Sequence, residues 1–337
     1  MSPGLAVALL AALVGLAWLA TAGALRWLRH RQVLDMPNHR SSHHLPTPRG
    51  GGLAVIGVGL AALLAHHLTW GGDGLGQVGW VLAAALLLAG VSWLDDIRGL
   101  PAVPRLIAHL AAAGIGVAAL PGEGLPGLLP GWIEAPLLVV AWAGFLNVVN
   151  FMDGIDGITG VEGIAIAAGA AVVGWQAALP GDLAAAGLIV ACVLLGFLPW
   201  NWHRAKLFLG DVGSIPLGYL LGWLLLLLAV KGQWAAALIL PLYYLVDGGQ
   251  AILTRLMKGE NILTPHRRHA YQKAVDAGWP HDRVAALIGV VNLALVALAL
   301  GSVGADPAGQ GLALLAALGV VGVLIWLLAG RRPGEAA

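Results

Sequence analysis

Acidic, amide and basic side chains are gathered in five short clusters between long apolar stretches. Asp95 and Asp96 stand side by side at the end of one stretch, and Asp211 lies between Gly210 and Gly213 just before another. Adjacent carboxylates repel one another at a low-dielectric boundary, and a divalent or other cationic partner removes that cost. Because carboxylate oxygens and water suit Mg²⁺ or Mn²⁺, the three acids form a candidate metal site. Solvated loop acids and, for Asp211, a helix N-cap are the alternatives.

A second polar segment, residues 147–157, combines two amides, two acids and two glycines. Asn147 and Asn150 are three residues apart and share one face of a helix, which Asp153 continues. Gly154 and Gly157 break the helix and let a ligand approach the backbone. The segment resembles a calcium loop only weakly, because no terminal Glu follows at the required distance.

Two loops are rich in groups that bind phosphate. Three prolines and three consecutive glycines shape residues 35–52, where backbone N–H groups beside Arg49 would form an anion site at a helix start. The longest loop contains His266, Arg267 and His269, a combination that suits phosphate or diphosphate. Its arginines and the lack of a thiolate argue against zinc there. Arginines that only set topology, or a solvated basic loop, are the alternatives.

The elements that position these clusters are membrane helices. The chain has 337 residues, of which 59% are hydrophobic and only 10% charged, whereas soluble domains carry roughly 25% charged residues. The mean hydropathy is +0.85. We predict an all-α, polytopic protein that forms one integral membrane domain over residues 1–337. Eleven stretches are long enough to span a bilayer, near 4–28, 50–69, 77–94, 105–121, 135–150, 158–176, 183–199, 214–230, 234–251, 284–302 and 309–329.

The basic residues predict the orientation of these spans. With the N-terminus outside, seventeen of the eighteen Lys and Arg residues fall on the cytoplasmic side together with the C-terminus, and only Lys231 falls outside. Basic residues follow the first span and none precede it, which is typical of an uncleaved anchor. The formal net charge of +1 argues against a nucleic-acid partner. All five clusters then face the cytoplasm, which indicates a reaction between a soluble phosphorylated donor and a lipid-borne acceptor.

Five ordered motifs resemble those of the polyprenyl-phosphate N-acetylhexosamine-1-phosphate transferases, the glycosyltransferase 4 family. They cover about residues 35–283 and read DMPNHRSSHHLPTPRGGG, WLDDIRGLP, NVVNFMDGIDG, FLPWNWHRAKLFLGDVGS and HRRHAYQ. The resemblance implies transfer of a sugar 1-phosphate from a UDP-linked N-acetylated sugar to undecaprenyl phosphate, with release of UMP and a requirement for Mg²⁺. The last motif lacks the His-x-His-His of enterobacterial GlcNAc-1-phosphate transferases and the triple histidine of the muramoyl-pentapeptide branch. It resembles the O-antigen-initiating branch, which includes N-acetylfucosamine and N-acetylquinovosamine transferases.

The same resemblance implies a role for each candidate residue. The paired catalytic acids are Asp95 and Asp96, and the metal ligands are Asp211 and Asn150. The nucleotide and sugar residues are Asn147, Asn150, Asp153, Asp156 and Asn201. The phosphate-binding residues are Arg49, His266, Arg267 and His269. The implied partners are the bilayer of a bacterial inner membrane, undecaprenyl phosphate and the UDP-sugar, with a homodimer as a further partner to test.

Two other functions compete with this reading. A transporter would place ionisable groups near the bilayer midplane, whereas His109 and Glu162 lie near the inner ends of their predicted spans. An intramembrane aspartyl protease would need two aspartates in facing spans, and Gly210-Asp211 does not explain the amide-rich segment.

Overall fold

The computed structural model describes residues 2–37, 42, 45–71, 76–122, 129–259 and 268–330, and these residues are overwhelmingly helical. The helices are α1 (Pro3–His30), α2 (Gly52–Trp70), α3 (Gly76–Arg98), α4 (Ala102–Ala118), α5 (Gly131–Met152), α6 (Ile158–Gln176), α7 (Gly181–Asn201), α8 (Asp211–Val230), α9 (Trp234–Ile239), α10 (Leu242–Met257), α11 (Ala270–Asp276), α12 (His281–Gly301) and α13 (Pro307–Ala329). Two short antiparallel strands, β1 (Leu34–Asp35) and β2 (Thr47–Pro48), pair within the first polar loop.

The prediction of a polytopic all-α membrane protein is confirmed. Nine helices of the described residues are long and apolar enough to cross a membrane, namely α1, α2, α3, α5, α6, α7, α8, α12 and α13. The predicted fourth span is the shorter apolar helix α4. The predicted ninth span is interrupted, since α9 ends at Ile239 and α10 begins at Leu242. Pro241 lies in the gap, where it has no N–H to continue a helical ladder.

Helix α8 lies at the centre of the bundle, and it is the most buried of the spanning helices. Glycine lets it approach α5 closely, because a Cβ at Gly218 would lie 2.8 Å from the Cα of Leu146. The two helices run antiparallel, so the N-terminal Asp211 of α8 lies beside Asn150 near the end of α5. Helix packing in the membrane therefore fixes the position of the first polar groups.

The three glycines of the first polar loop serve backbone packing. The N–H groups of Gly50, Gly51 and Gly52 donate to the carbonyl oxygens of Phe208 and Leu209, at 2.8–3.2 Å. A Cβ at Gly52 would clash with the backbone of Gly213. The expected anion site at these amides is therefore wrong, because all three are already paired within the protein.

The glycines of the segment 147–157 act in different ways. Helix α5 ends at Met152, and Gly157 has a φ of +80° at the start of α6, a conformation that favours glycine. A Cβ at Gly154 would clash with the hydroxyl of Tyr271. A protein side chain, rather than a ligand, therefore approaches the backbone at Gly154.

Candidate active site

The centre of the candidate site is the carboxylate of Asp211 at the start of α8. Arg49 Nη2 lies 2.5 Å from Asp211 Oδ1 and 2.8 Å from Asp96 Oδ1. The amide nitrogen of Asn150 donates to Asp211 Oδ1 at 3.1 Å and to Ser214 Oγ at 2.8 Å. Residues from four of the five predicted clusters thus meet around one carboxylate.

Asp96 holds the N-terminus of α8. Its side chain is fully buried and accepts the N–H groups of Asp211 at 3.1 Å and Val212 at 2.9 Å. A carboxylate at this position satisfies orphan amides and faces the positive end of the helix dipole. Asp211 lies inside the first turn, after the N-cap residue Gly210, so the N-cap alternative for Asp211 is wrong. Asp96 is the acid that caps this helix.

Asp95 points to a different set of partners. Its Oδ1 accepts the N–H of Leu100 at 2.6 Å, and its Oδ2 lies 2.6 Å from Arg105 Nη1. The same Arg105 atom is 3.8 Å from Asp211 Oδ2. The cost of adjacent carboxylates is therefore relieved by two arginines, one for each acid. The adjacent acids predict a cationic partner from the sequence alone, but there Arg105 counts only among the basic residues that predict the orientation of the spans.

Arg49 is held as a cation at the centre of this network. Burial opposes its charge, but the carboxylates of Asp211, Asp96 and Asp35 outweigh that effect and raise the pKa of Arg49. About a third of its side chain is exposed. A permanently charged, partly accessible guanidinium of this kind can bind a phosphate oxygen.

The chemistry of Asp211 fits a hard cation better than that of Asp96. Asp211 is 18% exposed, whereas both oxygens of Asp96 accept backbone N–H groups. The amide nitrogen of Asn150, not its carbonyl oxygen, faces Asp211. Asn150 therefore orients the carboxylate that would bind the metal.

The remaining polar residues of α5 lie on either side of this centre. Asn147 donates to the carbonyl oxygen of Ala143 at 2.6 Å, and its amide nitrogen is 3.1 Å from Nδ1 of His109. Asp153 follows the end of α5 and is partly buried. Burial raises the pKa of Asp153 to about 7; Asp211 adds to the shift, whereas a hydrogen bond with Thr159 opposes it. Asp153 is thus a carboxyl group that can exchange a proton near neutral pH.

Asp156 is the hub of a second cluster. Its Oδ2 lies 2.7 Å from Nδ1 of His203 and 3.3 Å from Nδ1 of His281, and it accepts the N–H of Ala205 at 3.2 Å. Burial would raise the pKa of Asp156, but the hydrogen bonds from the two histidines and Ala205 hold it below its usual value. Asn201 is buried beside this cluster, where it accepts the N–H of Gly157 at 3.0 Å and donates to a backbone carbonyl.

The fifth cluster is only partly described. His266 and Arg267 lie outside the described residues. His269 is buried, stacks on Tyr271 with ring centroids 5.6 Å apart, and has Nδ1 3.6 Å from Asp247 Oδ1. Asp247 also accepts the N–H of Ala270, and the Tyr271 hydroxyl donates to the carbonyl of Phe151 at 3.2 Å. These contacts attach the described end of the loop to α5 and α10.

Several contributors were missed by sequence reasoning. His203 lies within a recognised motif but was given no role, and His281 lies at the start of a span, where it reads as a boundary residue. Asp247 is in an apolar stretch beside two glycines, a signal of a buried acid with a partner. Ser214 follows Asp211 by three residues, which is the helical spacing that could have identified it.

A cavity of about 550 Å³ lies between α5, α8 and the broken span. It is lined by apolar side chains, among them Leu138 and Phe145 of α5, Leu225 of α8, and Pro241 and Leu245 beside the break. Phe145 is one helical turn or less from Asn147, since α-helices rise 1.5 Å per residue. Along α8, however, the lining residues begin at Gly222, which is roughly 16 Å along the helix from Asp211, so most of the cavity lies away from the polar end of the bundle.

The arrangement combines three chemical capacities at one end of the bundle. Arginines supply fixed positive charge, Asp211 supplies an oxygen ligand, and Asp153 supplies a proton-exchanging group. Such a site is suited to phosphoryl transfer, which depends mainly on positioning and charge neutralisation.

Comparison with known proteins agrees with this chemistry. A family model described as glycosyl transferase family 4 matches residues 78–229. The decaprenyl-phosphate N-acetylglucosaminephosphotransferase of Mycolicibacterium smegmatis is 31% identical over 318 residues, covering 82% of this chain and 78% of that protein. The probable undecaprenyl-phosphate N-acetylglucosaminyl 1-phosphate transferase of Bacillus subtilis is 30% identical over 268 residues, covering 74% and 71%. A phospho-N-acetylmuramoyl-pentapeptide-transferase of Synechococcus is 34% identical over 222 residues, covering 60% and 62%.

Proposed function

The chain belongs to glycosyl transferase family 4 and to its polyprenyl-phosphate hexosamine-1-phosphate transferases, and we propose that it transfers N-acetylglucosamine 1-phosphate from UDP-N-acetylglucosamine to undecaprenyl phosphate. The observation that carries this proposal is the Asp211 carboxylate, held between Arg49 and Arg105 at one end of a bundle of apolar, membrane-spanning helices. A charged lipid phosphate and its apolar chain need these two environments side by side.

In the proposed reaction, an oxygen of the lipid phosphate attacks the β-phosphorus of the UDP-sugar. The bond between that phosphorus and the bridging oxygen breaks, and UMP leaves with the bridging oxygen. Arg49 and Arg105 bind phosphate oxygens and offset their charge. Asp153, with its pKa near 7, is the carboxyl group best suited to take a proton from the lipid phosphate.

The paired acids have positioning roles in this proposal. Asp96 fixes the first turn of α8, and Asp95 fixes the guanidinium of Arg105. Asn147 and Asn150 would contact the donor from one face of α5, while Asp156 and Asn201 shape the adjoining turn. The sequence-based expectation that Asp95 or Asp96 itself deprotonates the lipid phosphate is the competing assignment for the same step.

Mg²⁺ would be held by Asp211 and, when bound, would neutralise charge on the diphosphate. The expected face of the site is cytoplasmic, in the inner membrane, because the soluble donor is made there and the basic residues favour that orientation. The named relatives favour N-acetylglucosamine as the sugar, and the last motif favours the start of an O-antigen-like polysaccharide.

The test combines purified protein, undecaprenyl phosphate, Mg²⁺ and a panel of UDP-linked sugars, including N-acetylglucosamine, N-acetylfucosamine and N-acetylquinovosamine. We expect UMP release and a lipid-linked sugar diphosphate with N-acetylglucosamine, and loss of both in Asp211→Asn. Asp182→Asn is the matched control, because Asp182 is exposed and pairs with His66 away from the site. Turnover with another sugar alone would overturn the sugar assignment. If none of the UDP-sugars released UMP, the result would overturn the transferase proposal and favour the transporter.

A further inference from the structure

The cluster of Asp156, His203 and His281 has the composition of a transition-metal site. One ligand atom from each residue lies within 4.8 Å of the other two. The three residues come from distant parts of the chain: the turn after α5, the loop after α7, and the first residue of α12. Nothing in the proposed phosphoryl transfer requires two histidines on this carboxylate.

The distances within the cluster suit a small tetrahedral ion. Ligands at about 2.0–2.1 Å from zinc lie roughly 3.3 Å apart around a tetrahedron. Nδ1 of His281 is 3.3 Å from Asp156 Oδ2, and Nδ1 of His203 is 2.7 Å from the same oxygen. Relative to Asp156 Oδ2, Nδ1 of His203 would have to move by roughly 0.6 Å to reach this spacing.

Burial and access are also those of a metal site. The side chains of Asp156 and His281 are 8% and 9% exposed, whereas that of His203 is 28% exposed. An ion would therefore enter past His203 and be held by the two buried ligands. The backbone N–H of Ala205 donates to Asp156 at 3.2 Å, an outer contact of the kind that orients a ligating carboxylate.

We propose that Asp156, His203 and His281 bind a divalent transition-metal ion of the zinc class. Two imidazole nitrogens and one carboxylate oxygen prefer Zn²⁺ to Mg²⁺, which favours oxygen ligands alone. The ion joins the turn after α5, the loop that leads into α8, and the start of α12. The site is separate from the Asp211 centre in its ligand chemistry, and it does not depend on the transferase reaction.

Zinc binding to metal-free protein tests the site directly. The protein is purified without a polyhistidine tag, stripped with a chelator, and titrated with Zn²⁺ against a chromophoric chelator. We expect one zinc per chain in the wild type and in Asp211→Asn. His203→Gln and His281→Gln should each bind at least about 100-fold more weakly. His30→Gln is the matched control, because His30 is exposed at the end of α1, and it should bind like the wild type.

A second measurement needs no variant that might misfold. X-ray absorption of the zinc-loaded wild type should show imidazole nitrogens among ligands at about 2.0–2.1 Å. Failure of the wild type to bind zinc would overturn the proposal and leave a hydrogen-bonded triad. Wild-type affinity in both site variants, or an all-oxygen absorption spectrum, would place any bound zinc elsewhere and would also overturn it.

Discussion

Replacing Asp96 by Asn should destabilise the protein more than replacing Asp211 by Asn. The side chain of Asp96 is fully buried, accepts two N–H groups at the start of α8 and pairs with Arg49. Asparagine keeps one acceptor oxygen, but its NH₂ group cannot accept the second N–H and repels the guanidinium. A lost helix cap and a lost charge-assisted hydrogen bond together cost about 2–4 kcal/mol.

The comparison with Asp211 separates positioning from catalysis. Asp211 is 18% exposed, and its replacement leaves Arg49 paired with Asp96, so we expect a stability loss of about 1 kcal/mol or less. Turnover should nevertheless fall about 100-fold or more in Asp211→Asn, because the proposed metal ligand is lost.

Thermal unfolding in detergent and UMP release measure the two effects on the same samples. A loss of about 2–4 kcal/mol should lower the Tm of Asp96→Asn by roughly 5–15 °C. Asp211→Asn should unfold near the wild-type temperature and be nearly inactive. An unchanged Tm in Asp96→Asn, or an equal loss in both variants, would show that Asp96 does not hold the helix start.

Four further predictions follow from other contacts. Because burial raises the pKa of Asp153 to about 7, turnover should rise as the pH passes 7, and the contribution of Asp153 to the free energy of unfolding should fall between pH about 4 and 7. Asp153→Asn should flatten both the pH–rate and the pH–stability profile, and an unaltered pH–rate profile in this variant would exclude Asp153 as the proton acceptor. Arg105→Gln removes the cation 2.6 Å from Asp95 and should lower kcat about 10- to 100-fold, whereas Arg31→Gln, on an exposed arginine at the end of α1, should leave kcat unchanged. Gly52→Ala should cost about 1–3 kcal/mol of stability by its clash with Gly213, while Gly57→Ala, which meets no atom within 4 Å, should not; equal melting temperatures would contradict the packing argument. With the buried Cys192 replaced by Ala, Lys231→Cys should react with an impermeant maleimide in intact spheroplasts and Lys206→Cys only after lysis, and the reverse pattern would invert the proposed orientation.

The site's central partners were predictable because charge and hydrogen bonding leave few choices near a membrane. Asp95, Asp96 and Asp211 had to find cations, and Asn150 had to face a polar group. Which cation pairs with which acid depends on how α2, α3 and α8 pack, and no local pattern contains that information. Arg49 reaches Asp211 across 162 residues of sequence.

Glycine-rich sequence was harder to interpret. Gly50, Gly51 and Gly52 have the composition of an anion-binding loop, but their amides pair with the Phe208 and Leu209 carbonyls. A glycine that admits a ligand and one that admits another backbone look the same in sequence. The sequence predicts one span over 234–251 for a similar reason, because the apolar run continues through the break and only Pro241 marks it.

The long separation between Arg49 and Asp211 has a consequence for synthesis. Asp95 meets its partner Arg105 after only ten residues, so that pair can form while the chain is still short. Arg49 must wait 162 residues for Asp211, a delay of roughly 8–30 s at about 5–20 residues per second, and Asp96 must wait 115 residues for the same helix start. During that interval, Asp96 has no helix start to cap. A chain interrupted before α8 therefore leaves the Asp96 carboxylate without the two backbone N–H donors that it accepts in the complete protein.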